Sequence, residues 1–467
     1  MKKLTLTILT GILLATLVLG GCSSSNTSID GPGKIVIAGQ YKEGIEQYKT
    51  YYEISHEGKE VEVVSFQSDD PEQEREDSYT AVKRLLDGEN APDVLFLDVD
   101  TLSRLADDGY LQPIDTLAKN KKYDLDSFIP SIMDYVKKKG NGTLYGIPLS
   151  FYSNALFYNK DMFDAAGISY PTDDMSWEEV YDLGRNFSEG EGLDSTYGLH
   201  LGYSYEQFVF LQAAQRGVTF MNDDMKTISI NTPEWRSIFE EGRKAIEEGI
   251  AAPTFNWEEA MKQGIEPGPF ADNPFLGGKA AMAILSSYEV SYLDEQFQWA
   301  GEEAKPFNWD IVTIPRQADT PGYGGMMGIS DIVVINKNAS NLDLAWDFVS
   351  YITGDELTKI LSKSNYATPT RTKYVQKEGK NINYEALYKL EPVDSYFPIP
   401  EEFMQKYDAW WGVLDPLSSN LTPIMEGKTD LDKGLEETHN KMQEALDRVI
   451  EEHEKKAEEE GSTQPGS

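Results

Sequence analysis

Asp98 and Asp100 directly follow the short apolar run 94–97, and Gln40 and Tyr41 follow a run of the same kind at 34–38. Carboxylates and amides form directed hydrogen bonds and aromatic faces stack on flat apolar surfaces. Such groups at the ends of buried segments suit the orientation of a small polar ligand. A second set lies in 150–154 (SFYSN), where Ser150, Tyr152 and Ser153 separate the apolar runs 145–149 and 155–158. Tyr288 ends a further apolar element, 278–285, behind Ser286 and Ser287.

Covalent and metal chemistry find no comparable support. There is no G-x-x-x-x-G-K-[ST] phosphate loop and no G-x-S-x-G nucleophile turn, and the glycine loop 322–328 lacks a lysine and a helix start. His56, His200, His439 and His453 are scattered, with no metal-ligand spacing. Asp98-Val99-Asp100 lacks the glycine at which a calcium loop turns. No carboxylate pair for glycoside hydrolysis stands out among 79 acidic residues. The chain is therefore expected to be no enzyme and to carry no cofactor or metal.

The elements that position these residues alternate. Runs 34–38, 61–66 and 94–97 read as strands, and 43–54, 72–87 and 101–108 as helices, which is the pattern of an α/β lobe with a largely parallel sheet. In such sheets ligands sit beyond the C-terminal ends of the strands. Stretch 142–167 reads as strand, polar and aromatic patch, second apolar run and short helix, as where a chain leaves one lobe and enters another. Ser176-Trp177-Glu178-Glu179 is a capping box, and Thr232-Pro233 opens another helix. Trp177 is expected in the core. Residues 252–274 read as irregular, 309–315 as a strand returning to the first lobe, 331–335 as a strand and 342–352 as a helix. Residues 364–371 read as a third crossing, and 401–414 and 431–459 as helices. A few extended crossings suit a hinge.

The ends point outside the cytoplasm. Lys2 and Lys3 precede a 16-residue apolar core at 4–19, short for a membrane span, and the only cysteine, Cys22, follows Leu19-Gly20-Gly21. This is a lipoprotein signal, with Cys22 as the lipidated residue. Residues 22–33 read as a flexible tether and 456–467 as a disordered tail. A net charge of −37 argues against nucleic acid and anionic lipid surfaces as partners.

Several stretches, in order, resemble the extracellular solute-binding proteins of ABC importers, the group that includes maltose-binding protein. They are APDVLFLDVDTLSRLADDGYLQPID, LYGIPLSFYSNALFYNKDMFDAAGI, SWEEV, FLGGKAAMAILSSYE, DIVTIPRQ, GGMMGISDIVVINKNASNLDLAWDFVSYITGDE and AWWGVL, spread over roughly residues 35–450. The resemblance implies a two-lobed α/β fold of the periplasmic-binding type II class, each lobe a sheet flanked by helices, joined by a multi-strand hinge. The expected division is 1–21 signal, 34–149 plus 307–363 lobe one, and 150–306 plus 364–455 lobe two. The implied function is a lipid-anchored, monomeric binding subunit that closes on a carbohydrate and delivers it to a membrane permease. A peptide or polyamine ligand is the alternative, and a secreted glycan-acting enzyme a more distant one.

Position by position, the resemblance places ligand groups at Asp98 and Asp100, at Tyr152 with Ser150 and Ser153 beside it, at Tyr288, and at Trp410 or Trp411. Tyr323 and Arg371 are further candidates. Sugar binders of this group often carry a carboxylate where this chain has Tyr152. Asp98 or Asp100 could instead cap the helix that follows, with Asp100 the expected cap.

Overall fold

The computed structural model describes residues 32–462, apart from 69–75, 191, 265, 267, 304, 364–366, 377–380, 394 and 408. The signal segment with Cys22, most of the tether, the start of the helix expected from 72 and the start of the crossing expected from 364 lie outside the described residues.

Eleven strands are described: β1 (Gly33–Gly39), β2 (Lys59–Ser65), β3 (Val94–Leu97), β4 (Gly146–Asn159), β5 (Tyr197–His200), β6 (Ala280–Ser286), β7 (Trp309–Thr313), β8 (Tyr323–Gly325), β9 (Met327–Ile335), β10 (Thr368–Pro369) and β11 (Glu391–Pro392). Lobe one is built on the order β2-β1-β3-β9-β4, with β1 parallel to β2 and β3, and with β9 antiparallel to β3 and β4. Lobe two is built on the far half of β4, which pairs with β6 on one side and β7 on the other, while β5 runs parallel to β6. The patch at 150–154 therefore interrupts no strand. β4 continues through it as one 14-residue strand that belongs to both sheets.

The hinge is the stretch where β4 leaves β9. Tyr152 pairs with Gly328 and Ser153 with Met327, with irregular register about Ser150, and β10 pairs with Phe151 and Ser150 on the other edge. Three extended segments thus lie side by side, the arrangement in which a few residues can absorb a rotation between lobes.

Side chains alternate between the two faces of each sheet, as strand geometry requires. In lobe one Ile35, Ile37, Val94 and Phe96 pack on one face against Leu344, Phe348 and Val349 of the helix Leu342–Ile352. Leu95, Leu97, Ile332 and Val334 face the other layer, which continues under Phe157, Phe275 and Leu293 of lobe two. The remaining face of lobe two, with Leu156 and Tyr158, is covered by Trp177, Phe208, Trp235, Phe403 and Leu446. Trp177 is a core residue, as expected. The Ser176 capping box forms in full at the start of the helix Trp177–Gly184.

Four expectations are corrected. The strand expected in lobe one at 309–315 pairs with Ala155–Asn159 and belongs to the sheet of lobe two. Its alternating residues, Ile311 on one face and Val312 on the other, are covered only there. The segment after β10 is not yet lobe two: Arg371 is sealed against lobe one, and entry into the lobe-two core comes with Leu390 and Ile399. The helix expected over 401–414 ends at Lys406 and resumes as a single 3-10 turn, Trp410–Val413, because Tyr407 is extended. The region 252–274 contains a short helix, Trp257–Lys262, capped by Asn256. Among the described residues no helix is long and apolar enough to cross a membrane.

Candidate functional site

The cleft is built from strand ends of lobe one, the hinge, and the facing surface of lobe two. Gln40 follows β1 exposed, with its carbonyl accepting from Ser65 Oγ at 2.6 Å, and Tyr41 is half-buried at the start of the helix Lys42–Ser55. Asp98 follows β3 and caps the helix Val99–Asp107: Thr101 N and Oγ1 donate to its carboxylate at 2.7 and 2.9 Å. This corrects the expected cap, Asp100, and the expected helix start, Thr101. A helix beginning two residues earlier places Asp100 inside the first turn, 4.0 Å from Arg104, on the wall of a cavity that Glu401 of lobe two also lines.

Sequence reading missed a third acid here. Leu97 of β3 pairs with Ile332 of β9, so the antiparallel register sets Asp331 beside Asp98. Burial, and then the charge of Asp98, raise the Asp331 carboxyl above its ordinary value. Asp331 stands at the first position of a run that was recognised as a strand, but only the pairing of β3 with β9 reveals its neighbour.

At the hinge, Tyr152 turns outward and is 48% exposed, while Ser150 is half-buried between Asp331 and Pro369. Ser153 does not reach the cleft. It is 3% exposed, its N–H donates to Ser287 Oγ at 3.1 Å, and its carbonyl accepts from Ser287 N at 2.7 Å. Strand alternation explains this correction: Tyr152 and Ser153 point to opposite faces of β4. Tyr288, 42% exposed, follows β6 and lies close enough to Tyr152 to add to the raised Tyr152 pKa, of which burial is the larger cause.

Lobe two extends this pair into an aromatic wall. Tyr396, pushed up to about 12 by burial, Glu206 and Tyr152, contacts Phe397 at 4.9 Å between ring centroids. Phe397 in turn meets the edges of Trp410 and Trp411 at 5.3 and 4.8 Å. The two tryptophans stack at 3.7 Å, with Trp410 half-buried on the lobe-two core and Trp411 53% exposed. On the other flank Tyr203, also exposed, donates to Glu289, the residue after Tyr288, at 2.5 Å. Tyr203 and Tyr396 were not singled out from sequence, since isolated tyrosines in loops carry no periodic signal.

Two candidates lie elsewhere. Tyr323 sits half-buried on the separate ribbon of β8 and β11. Arg371 is 5% exposed inside lobe one: Nε donates to Thr353 O at 2.7 Å, Nη2 to Tyr123 Oη at 2.8 Å and Nη1 to Ser127 Oγ, and the guanidinium lies 4.3 Å from the Phe128 ring centre. It is therefore no ligand residue in this structure.

The Tyr152 platform depends on a residue without a side chain. A Cβ at Gly328, its partner on β9, would overlap the Tyr152 ring. Gly328→Ala is accordingly expected to push the ring out of place and to weaken ligand binding by about tenfold, or about 1.4 kcal/mol. Calorimetric titration checks this, and unchanged affinity would show that the ring needs no support from β9.

Cavities locate the site only in part. One of about 260 Å³ lies between the lobes, lined by Asp100 and Lys139 from one side and Ser395 and Glu401 from the other. A larger one, about 370 Å³, lies within lobe two beside Trp177 and Lys244. Its cations are held in place, Arg185 by Glu248 at 3.2 Å and Arg316 by Asp174 at 2.6 Å, and it adjoins none of the cleft residues above. Among the described residues no group of three or more His, Cys, Asp or Glu could hold a metal ion.

Residues 37–359 match the family described as bacterial extracellular solute-binding protein. The maltodextrin-binding protein of Bacillus subtilis is 24% identical over 410 residues, covering 84% of this chain and 87% of that protein. A maltooligosaccharide ABC transporter solute-binding lipoprotein of Streptococcus pneumoniae is 22% identical over 352 residues, covering 73% of each. Among solved structures, a family 1 extracellular solute-binding protein of Alicyclobacillus acidocaldarius superposes with a TM-score of 0.62 at 17% identity, over 90% of this chain and 99% of that one.

Proposed function

Since the chain belongs to the bacterial extracellular solute-binding protein family, we propose that it captures an oligosaccharide between its lobes for an ABC importer. The observation that carries this reading is the exposed tyrosine pair, Tyr152 on the hinge strand and Tyr288 on lobe two, continued by Tyr396 and Trp411. Tyrosine and tryptophan faces stack on the apolar faces of sugar rings, and Asp98 and Gln40 on the opposing lobe orient hydroxyls. Ligand contacts from both lobes shift the population toward the closed form, which the permease then meets. The names of the Bacillus and Streptococcus relatives, which bind maltodextrins and maltooligosaccharides, support the sugar class. The protein acts as a monomer and performs no catalysis.

Lipid on Cys22 anchors it outside the cell. The support is the Leu19-Gly20-Gly21-Cys22 junction behind a basic, then apolar, leader. The Streptococcus relative is itself named a lipoprotein.

One observation favours a second reading. Asp331 beside Asp98 makes the lobe-one wall acidic, which suits a polyamine. A thermal-shift panel of maltodextrins, other oligosaccharides, short peptides and spermidine separates the two. A ligand at 100 times its dissociation constant adds about 2.7 kcal/mol. A shift confined to one glycan class supports the proposal, and a shift with spermidine or peptides alone replaces it.

A further inference from the structure

The two cleft tyrosines are joined through the residues beside them. Ser153 follows Tyr152 on β4, and Ser287 precedes Tyr288. Ser153 N–H donates to Ser287 Oγ at 3.1 Å, and Ser287 N–H donates to Ser153 O at 2.7 Å. Both serines are 3% exposed, so water offers these groups no substitute for each other.

Strand geometry explains why a side chain is needed. β4 changes partners here: Ser153 is the last residue paired with β9, and Asn154, opposite Ser286, is the first paired with β6. The backbone groups of successive strand residues point to opposite edges. Asn154 N–H accordingly donates to Met326 O at 3.1 Å on one edge, while N–H and C=O of Ser153 both meet Ser287 on the other. A continued antiparallel ladder would offer Ser153 N–H the carbonyl of Ser287. That carbonyl has turned away: it accepts from Val290 N at 3.3 Å as the chain enters the helix Glu289–Ala300. Ser287 Oγ takes its place. The ladder is kept for one more residue while the backbone turns to present Tyr288.

The rings of Tyr152 and Tyr288 are 48% and 42% exposed, so their placement depends strongly on the backbone that carries them. We infer that Ser287 is a positioning residue: its hydroxyl, bonded to Ser153, holds Tyr152 and Tyr288 as one preassembled stacking platform for a sugar ring. The inference deepens the capture reading above and rests on it. The two rings are then ordered on folding, and their ordering does not subtract from binding.

Hydrogen exchange, read by NMR on the protein without ligand, tests the clasp. The Ser153 amide should be strongly protected in the wild type and should exchange at least about tenfold faster in Ser287→Ala, while the amides of β1 keep their rates. Calorimetric titration with maltotetraose tests the platform. Ser287→Ala should bind about fivefold more weakly, and the same substitution made in Tyr152→Ala should change affinity by less than about twofold, because the ring it positions is gone. A Ser153 amide that is unprotected in the wild type would overturn the inference, as would an affinity that Ser287→Ala leaves unchanged. So would an equal loss in both backgrounds, since the hydroxyl would then act apart from Tyr152. A wild type that binds no maltotetraose would overturn the maltodextrin class and this inference with it. The exchange result, which needs no ligand, tells that failure from a missing clasp.

Discussion

Arg371→Ala is expected to lower stability by about 3 kcal/mol or more while the folded protein keeps its ligand affinity within about twofold. The guanidinium is buried and donates to Thr353 O, Tyr123 Oη and Ser127 Oγ, and it lies over the ring of Phe128. Each hydrogen bond from a charged group contributes about 1.5–3 kcal/mol, and its loss strands a buried acceptor. The charge also helps to hold the Asp355 carboxyl below its usual range, though Tyr374 and Lys373 beside it are the larger causes there. Arg371 thus fastens the segment after β10 to lobe one, next to the hinge. Urea unfolding gives the stability and calorimetry the affinity. Normal stability with a large loss of affinity would return this guanidinium to the cleft.

Tyr152→Ala is expected to weaken ligand binding about 30-fold, or about 2 kcal/mol, with a change in stability under about 1 kcal/mol. Half of the ring faces the cleft, so truncation removes a stacking surface and little core. Tyr152→Phe should stay within about threefold, since the ring face rather than the hydroxyl carries the contact. The contrast with Gly328→Ala is informative: one variant deletes the ring, the other moves it. If Tyr152→Ala binds as tightly as the wild type, the hinge aromatic is not part of the ligand surface.

The α/β character and the hinge could be read from the sequence because they rest on local pattern. The apolar runs that became β1 and β3, the Ser176 capping box and the patch at the centre of β4 are each visible within a dozen residues. Tyr152 and Tyr288 could be singled out because each interrupts or ends an apolar run, and Trp411 only through the resemblance of AWWGVL. What escaped depends on pairing between distant segments. Asp331 joins Asp98 only through the register of β9 on β3, and β7 belongs to lobe two only through its bonds to β4. Arg371 had the composition of a ligand residue, and only the fold shows Thr353 and Tyr123 receiving its bonds.

Local signals also failed where they were weak or contradicted. The helices Asp115–Lys121 and Pro130–Lys139 went unread because Ile114 and Ile129 occupy their N-cap positions and provide no side-chain cap. Pro130 at the helix start was a usable cue that was not used. In the other direction, Phe403, Tyr407, Trp410 and Leu414 keep a helical spacing through a segment that is not one helix. The extended Tyr407 breaks it, and the turn that follows leaves Trp410 against the core and Trp411 outside.

Solution scattering at saturation with the glycan that gives the largest thermal shift tests the central claim most directly. Capture between closing lobes predicts a smaller radius of gyration with the glycan than without it, at fixed pH. Saturation confirmed by calorimetry with no compaction would contradict a ligand held between Tyr152, Tyr288 and the acids of lobe one.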